Sequence, residues 1–199
     1  MKKVNKLQTL KGFRDVLPIK ISPEAKVGVF IDEANLFYIQ KELGWKIDWQ
    51  KFIDLLKKNL NIKLIRYYLG MPLSGNSKIK NLKFKTKLES FGYTVITKPL
   101  KKIYINKKLG KYEYKCNFDV EIAIDTTKFL KDLDLVIICS SDSDFVALRD
   151  YVLINKKKIL FLCFERKVSW EVRRSKNLFL ERFRAIIELK NKNPGKTPG

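Results

Sequence analysis

The sequence predicts an α/β protein with a mainly parallel central sheet that is covered by helices on both faces. Short segments that are apolar almost throughout alternate along the chain with segments of helical periodicity. A strand with few polar positions must be buried on both faces, and such strands are typical of parallel sheets between two helical layers. Ligands bind these sheets at the carboxyl ends of the strands, so the residues that follow each strand are the first candidates for a site.

The predicted elements follow one another in a regular order. Strands are predicted over residues 26–31, 62–70, 93–100, 134–140 and 157–165. Helices are predicted over residues 34–43, 48–60, 78–92, 117–133 and 143–155, with further helical segments after the last strand. Residues 101–115 alternate basic with apolar or aromatic side chains around Leu109 and Gly110, which predicts a basic β-hairpin.

The two ends of the chain differ in composition from its centre. Residues 1–25 are basic and only weakly periodic, which predicts an N-terminal arm. Residues 191–199 are polar and contain Pro and Gly, which predicts a disordered tail. The folded domain is therefore expected over residues 26–190.

The charge of the chain points to a polyanionic partner. Its 199 residues carry 42 Lys and Arg against 21 Asp and Glu, a formal charge of +21. A drift of codons toward A and T accounts for a share of the lysines without removing their effect on phosphates. The chain has no apolar stretch near about twenty residues and no secretory h-region, so a membrane partner is not expected.

Cysteine and histidine usage narrows the chemistry. The three cysteines lack CxxC spacing, which indicates a reducing, cytoplasmic location and no structural zinc. The chain has no histidine, which excludes Ser-His-Asp triads, Cys-His pairs and His-zinc hydrolases. Any hydrolysis would therefore depend on carboxylates, lysines or a metal held by oxygen.

Acidic side chains cluster where predicted strands end and a predicted helix begins. Asp32 follows the first strand, with Asn35 in the next helical turn, and Asp119 opens a later helix. The loop after the fourth strand holds Ser140, Ser141, Asp142 and Asp144. Each aspartate alone is typical of a helix N-cap. Together at one crevice they would repel one another, and Mg²⁺, which prefers oxygen ligands, would relieve that repulsion. The pattern therefore indicates a divalent-metal site.

Three segments in this order, VGVFIDEANLFY, KCNFDVEIAID and IICSSDSDFVAL, resemble the NYN domain family of the PIN-like nuclease group. The resemblance spans roughly residues 26–165. It implies a Rossmann-like three-layer α/β/α sandwich with an acidic site for Mg²⁺ or Mn²⁺. It also implies ribonuclease activity.

The family's motifs carry over to single residues. Asp32 and Asn35 match D-x-x-N, and Asp119 matches the acid of K-G-x-x-D-V, a motif that Asp125 closes. Asp142 and Asp144 match S-G-D-S-D-F. The implied catalytic residues are Asp32, Asn35, Asp119, Asp142 and Asp144, whose four aspartates would bind the metal, with Asp125, Ser140 and Ser141 around them. Ser141 and Cys116 stand where the motifs have glycine.

The basic surface supplies candidate contacts to RNA. The expected nucleic-acid-binding residues are Lys98, Lys101, Lys102, Lys115, Arg173 and Arg174. Tyr104, Tyr112 and Tyr114 are interleaved with lysines in the predicted hairpin. They would either stack on unpaired bases or form cross-strand pairs that stabilise the hairpin.

We therefore expect a metal-dependent ribonuclease that acts on single-stranded or structured RNA. One or two ions would activate water and neutralise phosphate charge. A non-catalytic RNA-binding module is one alternative. A TOPRIM-like nuclease or DNA-processing domain is another alternative, with Asp142 and Asp144 as its DxD pair. Such a domain has glutamate at the position where this chain has Asp32. The C-terminal helical segments could also pair two copies into a homodimer.

Overall fold

Six parallel strands form the central sheet in the computed structural model of the chain, which describes residues 13–106, 109 and 111–190. The sheet strands are β1 (Lys26–Asp32), β2 (Asn61–Met71), β3 (Thr94–Pro99), β6 (Leu135–Cys139), β7 (Lys158–Cys163) and β8 (Asn177–Phe179). A separate antiparallel hairpin consists of β4 (Lys101–Asn106) and β5 (Lys111–Lys115). The prediction of a parallel sheet with an added basic hairpin is confirmed.

Helices cover both faces of this sheet. They are α1 (Glu33–Leu43), α2 (Trp49–Asn59), α3 (Gly75–Ser90), α4 (Asp119–Phe129), α5 (Val146–Ile154), α6 (Trp170–Arg174) and α7 (Arg184–Ile187). Short 3₁₀ turns occur at Phe13–Val16, Leu130–Asp132, Ser143–Phe145 and Leu180–Phe183. Successive strand residues point to opposite faces. Val29 and Ile31 therefore pack with α1 and α2 on one side, while Phe30 packs with α4 and α5 on the other.

The order of the strands places a crevice in the middle of the sheet. The order is β3-β2-β1-β6-β7-β8, so the chain winds outward in opposite directions from the β1–β6 pair. The helices that follow β1 and β6 leave the sheet on opposite faces and open a crevice at the carboxyl ends of these two strands. In the register of the pair, Ile31 lies opposite Cys139, which brings the next residues, Asp32 and Ser140, together.

One strand was not predicted. The segments after residue 165 were expected to be helical, but β8 adds a sixth strand beside β7 through pairs such as Leu162 with Leu178. It is three residues long, between a 5-residue helix and a 3₁₀ turn. A segment this short holds too few positions for a strand period to be read.

The chain before β1 packs on the domain as far as the structure describes it. Phe13 is buried against Phe183, with ring centroids 4.9 Å apart. Arg14 donates a hydrogen bond to the carbonyl of Ile21 at 2.9 Å, and the Lys158 ammonium donates to the carbonyl of Lys20 at 2.7 Å. The first twelve residues of the predicted arm, and the predicted tail over 191–199, lie outside the described residues.

A helix needs about twenty predominantly apolar residues to cross the core of a lipid bilayer, and the helices of this fold are shorter or more polar. Within residues 13–106, 109 and 111–190, none of them is both long enough and apolar enough to cross a membrane.

We expect the substitution Phe13→Ala to lower the free energy of unfolding by about 3–5 kcal/mol, because it leaves a cavity in the core beside Phe183. Urea denaturation of the full chain measures this change. The matched control is Ile154→Ala, which removes an aliphatic side chain that is 79% exposed. Equal midpoints for the two variants would show that the segment before β1 does not contribute to the core.

Candidate functional site

Asp32 joins the end of β1 to the start of α1. One carboxylate oxygen, Oδ1, accepts a hydrogen bond from the Asn35 backbone N–H at 3.3 Å, which caps the helix. The other oxygen, Oδ2, accepts from the Ser140 hydroxyl at 3.0 Å. The side chain is 6% exposed and faces the crevice between β1 and β6. Asp32 is therefore both a helix cap and a buried acid at the centre of the crevice.

Asn35 ties the loop after β6 to helix α1. Its side-chain oxygen accepts hydrogen bonds from the backbone N–H of Ser141 at 3.0 Å and from the Ser141 hydroxyl at 2.8 Å. The serine that replaces the family's glycine thus adds a second bond to the same asparagine. This oxygen is engaged in holding the loop, a role that the sequence did not suggest for Asn35.

The loop places Asp142 on the crevice and Asp144 farther out. The Asp142 backbone N–H donates to the Ser140 hydroxyl at 3.3 Å, and its carboxylate caps the next turn by accepting from the Asp144 N–H at 3.1 Å. Asp142 is half-buried, whereas Asp144 is exposed. Phe145 is 1% exposed and anchors the turn in the core.

Asp119 reaches the crevice from the first turn of α4. Its carboxylate accepts from the Asn117 side-chain amide at 2.5 Å, and its backbone N–H donates to the Asn117 side-chain oxygen at 2.7 Å. Burial raises the pKa of the Asp119 carboxyl, and the charges of Asp142 and Asp144 raise it further, while the bond from Asn117 acts in the opposite direction. The acids predicted on three separate segments are therefore within electrostatic reach of one another.

The centre of the site disfavours ionisation. Burial raises the pKa of Asp32 to about 6, with smaller contributions from the charges of Asp119 and Asp142, against the hydrogen bonds from Ser140 and Asn35. Burial also raises the pKa of Glu33 to about 7, with the charge of Asp32 adding to it. Glu33 lines the same cleft and was not predicted. An acid in the first turn of a helix is ordinary, so its sequence position carried no signal.

Two acids of the KCNFDVEIAID segment point elsewhere. Asp125 accepts from the Arg66 guanidinium at 2.9 Å and from the Tyr68 hydroxyl at 2.7 Å, which fixes α4 to β2. Asp125 is absent from the residues that line the cleft, so its placement around the metal ligands is not supported by the geometry. Glu121 accepts from the Lys98 ammonium at 2.5 Å.

The three crevice acids open into one large cleft. This cleft has a volume of about 1300 Å³ and is lined by Asp32, Asp119 and Asp142, by residues of α1 and α3, and by the base of the hairpin. A smaller pocket of about 310 Å³ adjoins it, where Asn35, Ser141 and Asp142 meet Lys167 and Ser169. The acids are thus open to a ligand of considerable size.

The predicted basic contacts divide into two groups. Lys115 lines the cleft and pairs with Glu113 of the same strand at 3.4 Å, and Lys101 and Lys102 are exposed on β4. The other three are engaged within the fold. Lys98 bonds Glu121 and the Asn117 carbonyl, Arg173 pairs with Glu165 at 3.3 Å, and the Arg174 guanidinium lies 5.4 Å from the Trp170 ring centroid.

The donor set fits a hard divalent cation in chemistry and in charge. The acids of the cleft offer oxygen ligands only, and burial, with a smaller contribution from their mutual repulsion, raises the pKa of Asp32 and Asp119. They are not pre-assembled, because no three His, Cys, Asp or Glu side chains in the described ranges come together as a metal-binding group.

We expect Asp32→Asn to raise the free energy of unfolding by about 3 kcal/mol at neutral pH in the absence of divalent ions. The folded state holds the Asp32 proton more tightly than the unfolded chain, so protonated Asp32 contributes stability to the wild type below about pH 4. The wild type loses this contribution as the pH rises through about 6, whereas the variant has no carboxyl to ionise at this position. Urea denaturation between pH 4 and pH 8 measures it. The control Asp150→Asn changes an exposed acid of α5. If the difference in free energy of unfolding between the wild type and Asp32→Asn did not change with pH, the raised pKa of Asp32 would be contradicted.

Comparison with known proteins identifies the family. The NYN domain model matches residues 26–186. The chain is 26% identical over 157 residues to the Low amplitude and bright protein LabA of Synechococcus elongatus, an alignment that covers 79% of this chain and 83% of that protein.

A solved structure shares the fold. The crystal structure of a protein of unknown function from Vibrio parahaemolyticus RIMD 2210633 superposes with a TM-score of 0.64 at 23% identity, covering 81% of this chain and 95% of that one. NYN domains are part of the PIN-like nuclease superfamily, which supports a nuclease or RNA-related role. With a family model that spans the sheet, the crevice and all five implied catalytic residues, the chain belongs to the NYN domain family.

Proposed function

We propose that this protein is a metal-dependent ribonuclease that hydrolyses RNA phosphodiester bonds at the β1–β6 crevice. One observation carries the proposal. Asp32, Asp119 and Asp142 come from three separate segments and line one cleft of a protein whose net charge is +21. Burying acids beside one another costs stability. A function that needs their combined charge accounts for that cost.

The proposed ligands of Mg²⁺ or Mn²⁺ are Asp32, Asp119 and Asp142, with Asp144 at the outer edge. When bound, the ion supplies an activated water and neutralises charge that develops on the phosphate. The chain has no histidine to carry protons, so these oxygen ligands are the groups on which hydrolysis would depend.

The surrounding residues set the positions of these acids. Asn35 holds the backbone of Ser141 against α1, and Ser140 bonds both the Asp32 carboxylate and the Asp142 N–H. These hydrogen bonds therefore hold Asp142 at a set distance from Asp32. Asn35 acts as a positioning residue in this proposal, because its side-chain oxygen is already bonded to the loop.

The RNA would be held by the lysines of the hairpin beside the cleft. Lys101, Lys102 and Lys115 lie on the hairpin that forms one wall of the cleft, where their charges are available to phosphates. Lys98, Arg173 and Arg174 lie off the hairpin and are not among the residues that line the cleft, so we assign them smaller contributions.

The second candidate is an RNA-binding module without catalysis. It is favoured by the absence of a ready-made group of three metal-binding side chains among the described residues. It would keep the basic surface and the cleft and leave the acids without a chemical role. The TOPRIM-like alternative has no support in the family match.

We expect the full-length protein to cleave RNA in the presence of Mg²⁺ or Mn²⁺ and not in EDTA. Asp32→Asn, Asp119→Asn and Asp142→Asn should each slow cleavage on the order of 100-fold or more, because a metal's stabilisation of the transition state is worth several kcal/mol. Gel analysis of a labelled RNA measures the rate.

Asp150→Asn is the matched control, since it removes the charge of an exposed aspartate that pairs with Arg149 on α5. Its cleavage rate should equal that of the wild type. Equal rates in all four variants would refute the site. A wild type that binds RNA without cleaving it would establish the second candidate instead.

A further inference from the structure

The hairpin of β4 and β5 stands apart from the core. Every described residue of both strands is exposed, and the two strands form a sheet of their own. An isolated two-stranded hairpin is marginally stable in water. The core therefore does not require these side chains, and they are accessible to a partner.

One face of the hairpin is aromatic. Tyr104 lies opposite Tyr112, and Lys102 lies opposite Tyr114, so these four side chains share one face. The Tyr104 and Tyr112 centroids are 6.2 Å apart and the Tyr112 and Tyr114 centroids are 5.5 Å apart, both pairs edge to face. The Lys102 ammonium lies 3.9 Å from the Tyr112 centroid. We call these four residues the tyrosine face.

The rings of the tyrosine face are both paired and accessible. The cross-strand contact between Tyr104 and Tyr112 stabilises the hairpin, which is one of the two roles expected for these tyrosines from the sequence. Tyr104, Tyr112 and Tyr114 nevertheless remain 48%, 45% and 50% exposed. About half of each side chain is therefore free to contact another molecule.

The tyrosine face continues the wall of the cleft. Tyr114 lines the same cleft as Asp32 and Asp119. Exposed rings also enter this cleft from α1, where Phe37 and Tyr38 are 49% and 55% exposed, with their centroids 5.6 Å apart. Aromatic surface is thus available to a chain that passes through the acidic centre.

We propose that the tyrosine face binds unpaired bases, so that this cleft selects single-stranded over double-stranded RNA. The proposal rests on the proposed function and names the substrate class of the same site. Aromatic rings stack on bases of any sequence, but only when those bases are not already stacked within a duplex. The described hairpin carries four lysines, Lys101, Lys102, Lys111 and Lys115, against one acid, Glu113, which favours a polyanion over a protein partner.

The test measures binding without cleavage. Fluorescence anisotropy of the full-length protein in EDTA compares a labelled, unstructured 12-nucleotide RNA with the same strand annealed to its complement. We expect the single strand to bind on the order of tenfold more tightly than the duplex. The chelator makes this result independent of hydrolysis, so a protein that cleaves nothing can still pass this test, and one that cleaves can fail it.

The variants separate stacking from hairpin stability. Tyr112→Val with Tyr114→Val removes two rings but keeps residues of high strand propensity. This double variant should weaken single-strand binding on the order of tenfold or more and leave duplex binding unchanged. Tyr112→Phe with Tyr114→Phe keeps the rings and should bind like the wild type.

The control is Tyr151→Ala, which removes an exposed ring of α5 outside the cleft and should change neither affinity. Unchanged single-strand affinity in the valine variant would overturn the proposal. An equal loss for single strand and duplex would also overturn it, because that loss would reflect phosphate contacts. Failure of the wild type to bind either RNA would overturn it as well.

Discussion

The structure depends on one constraint, the burial of the Asp32 carboxylate where the chain order of the sheet reverses. Parallel strands β1 and β6 end side by side there, and their helices leave on opposite faces. Asp32 fills the resulting crevice and meets the charges of Asp119 and Asp142. Desolvation of an acid beside other acids is unfavourable, and the fold sustains it through a helix cap and a serine hydroxyl. The burial of Asp32 therefore lowers the stability of the folded state.

The surroundings of Asp32 follow from that constraint. Asn35 and Ser141 bind the β6 loop to α1, which keeps Asp142 from moving away from a centre that repels it. A net charge of +21 and the lysines of the hairpin place positive potential around the acids, which favours attraction of a phosphate chain to the cleft while the acids keep its centre negative. The hairpin contributes little to the core and forms one wall of the cleft, which is the distribution expected of a substrate-binding element on a rigid scaffold.

Strands β1, β2, β3, β6 and β7 could be predicted because their apolar runs are several residues long, and the acids could be placed because parallel strands end at one edge. Contacts between segments that are distant in the sequence could not be predicted. The three residues of β8 have no readable period, and Phe13 is buried only because Phe183 folds back to meet it. Lys98 was predicted to contact RNA, but its ammonium lies 2.5 Å from the Glu121 carboxylate. Asp125 matched a family motif, yet Arg66 and Tyr68 of β2 take its carboxylate.

Binding of Mn²⁺ to the full-length protein, followed by electron paramagnetic resonance of the free ion, tests whether the acids of the cleft hold a cation. It requires neither RNA nor turnover, so the result depends on metal binding alone. We expect the wild type and Asp150→Asn to bind Mn²⁺ equally, and Asp32→Asn to weaken binding at least about tenfold, since each ligand carboxylate contributes charge and coordination. A wild type that binds no Mn²⁺, or an Asp32→Asn variant that binds it as well as the wild type, would show that Asp32 is not a metal ligand.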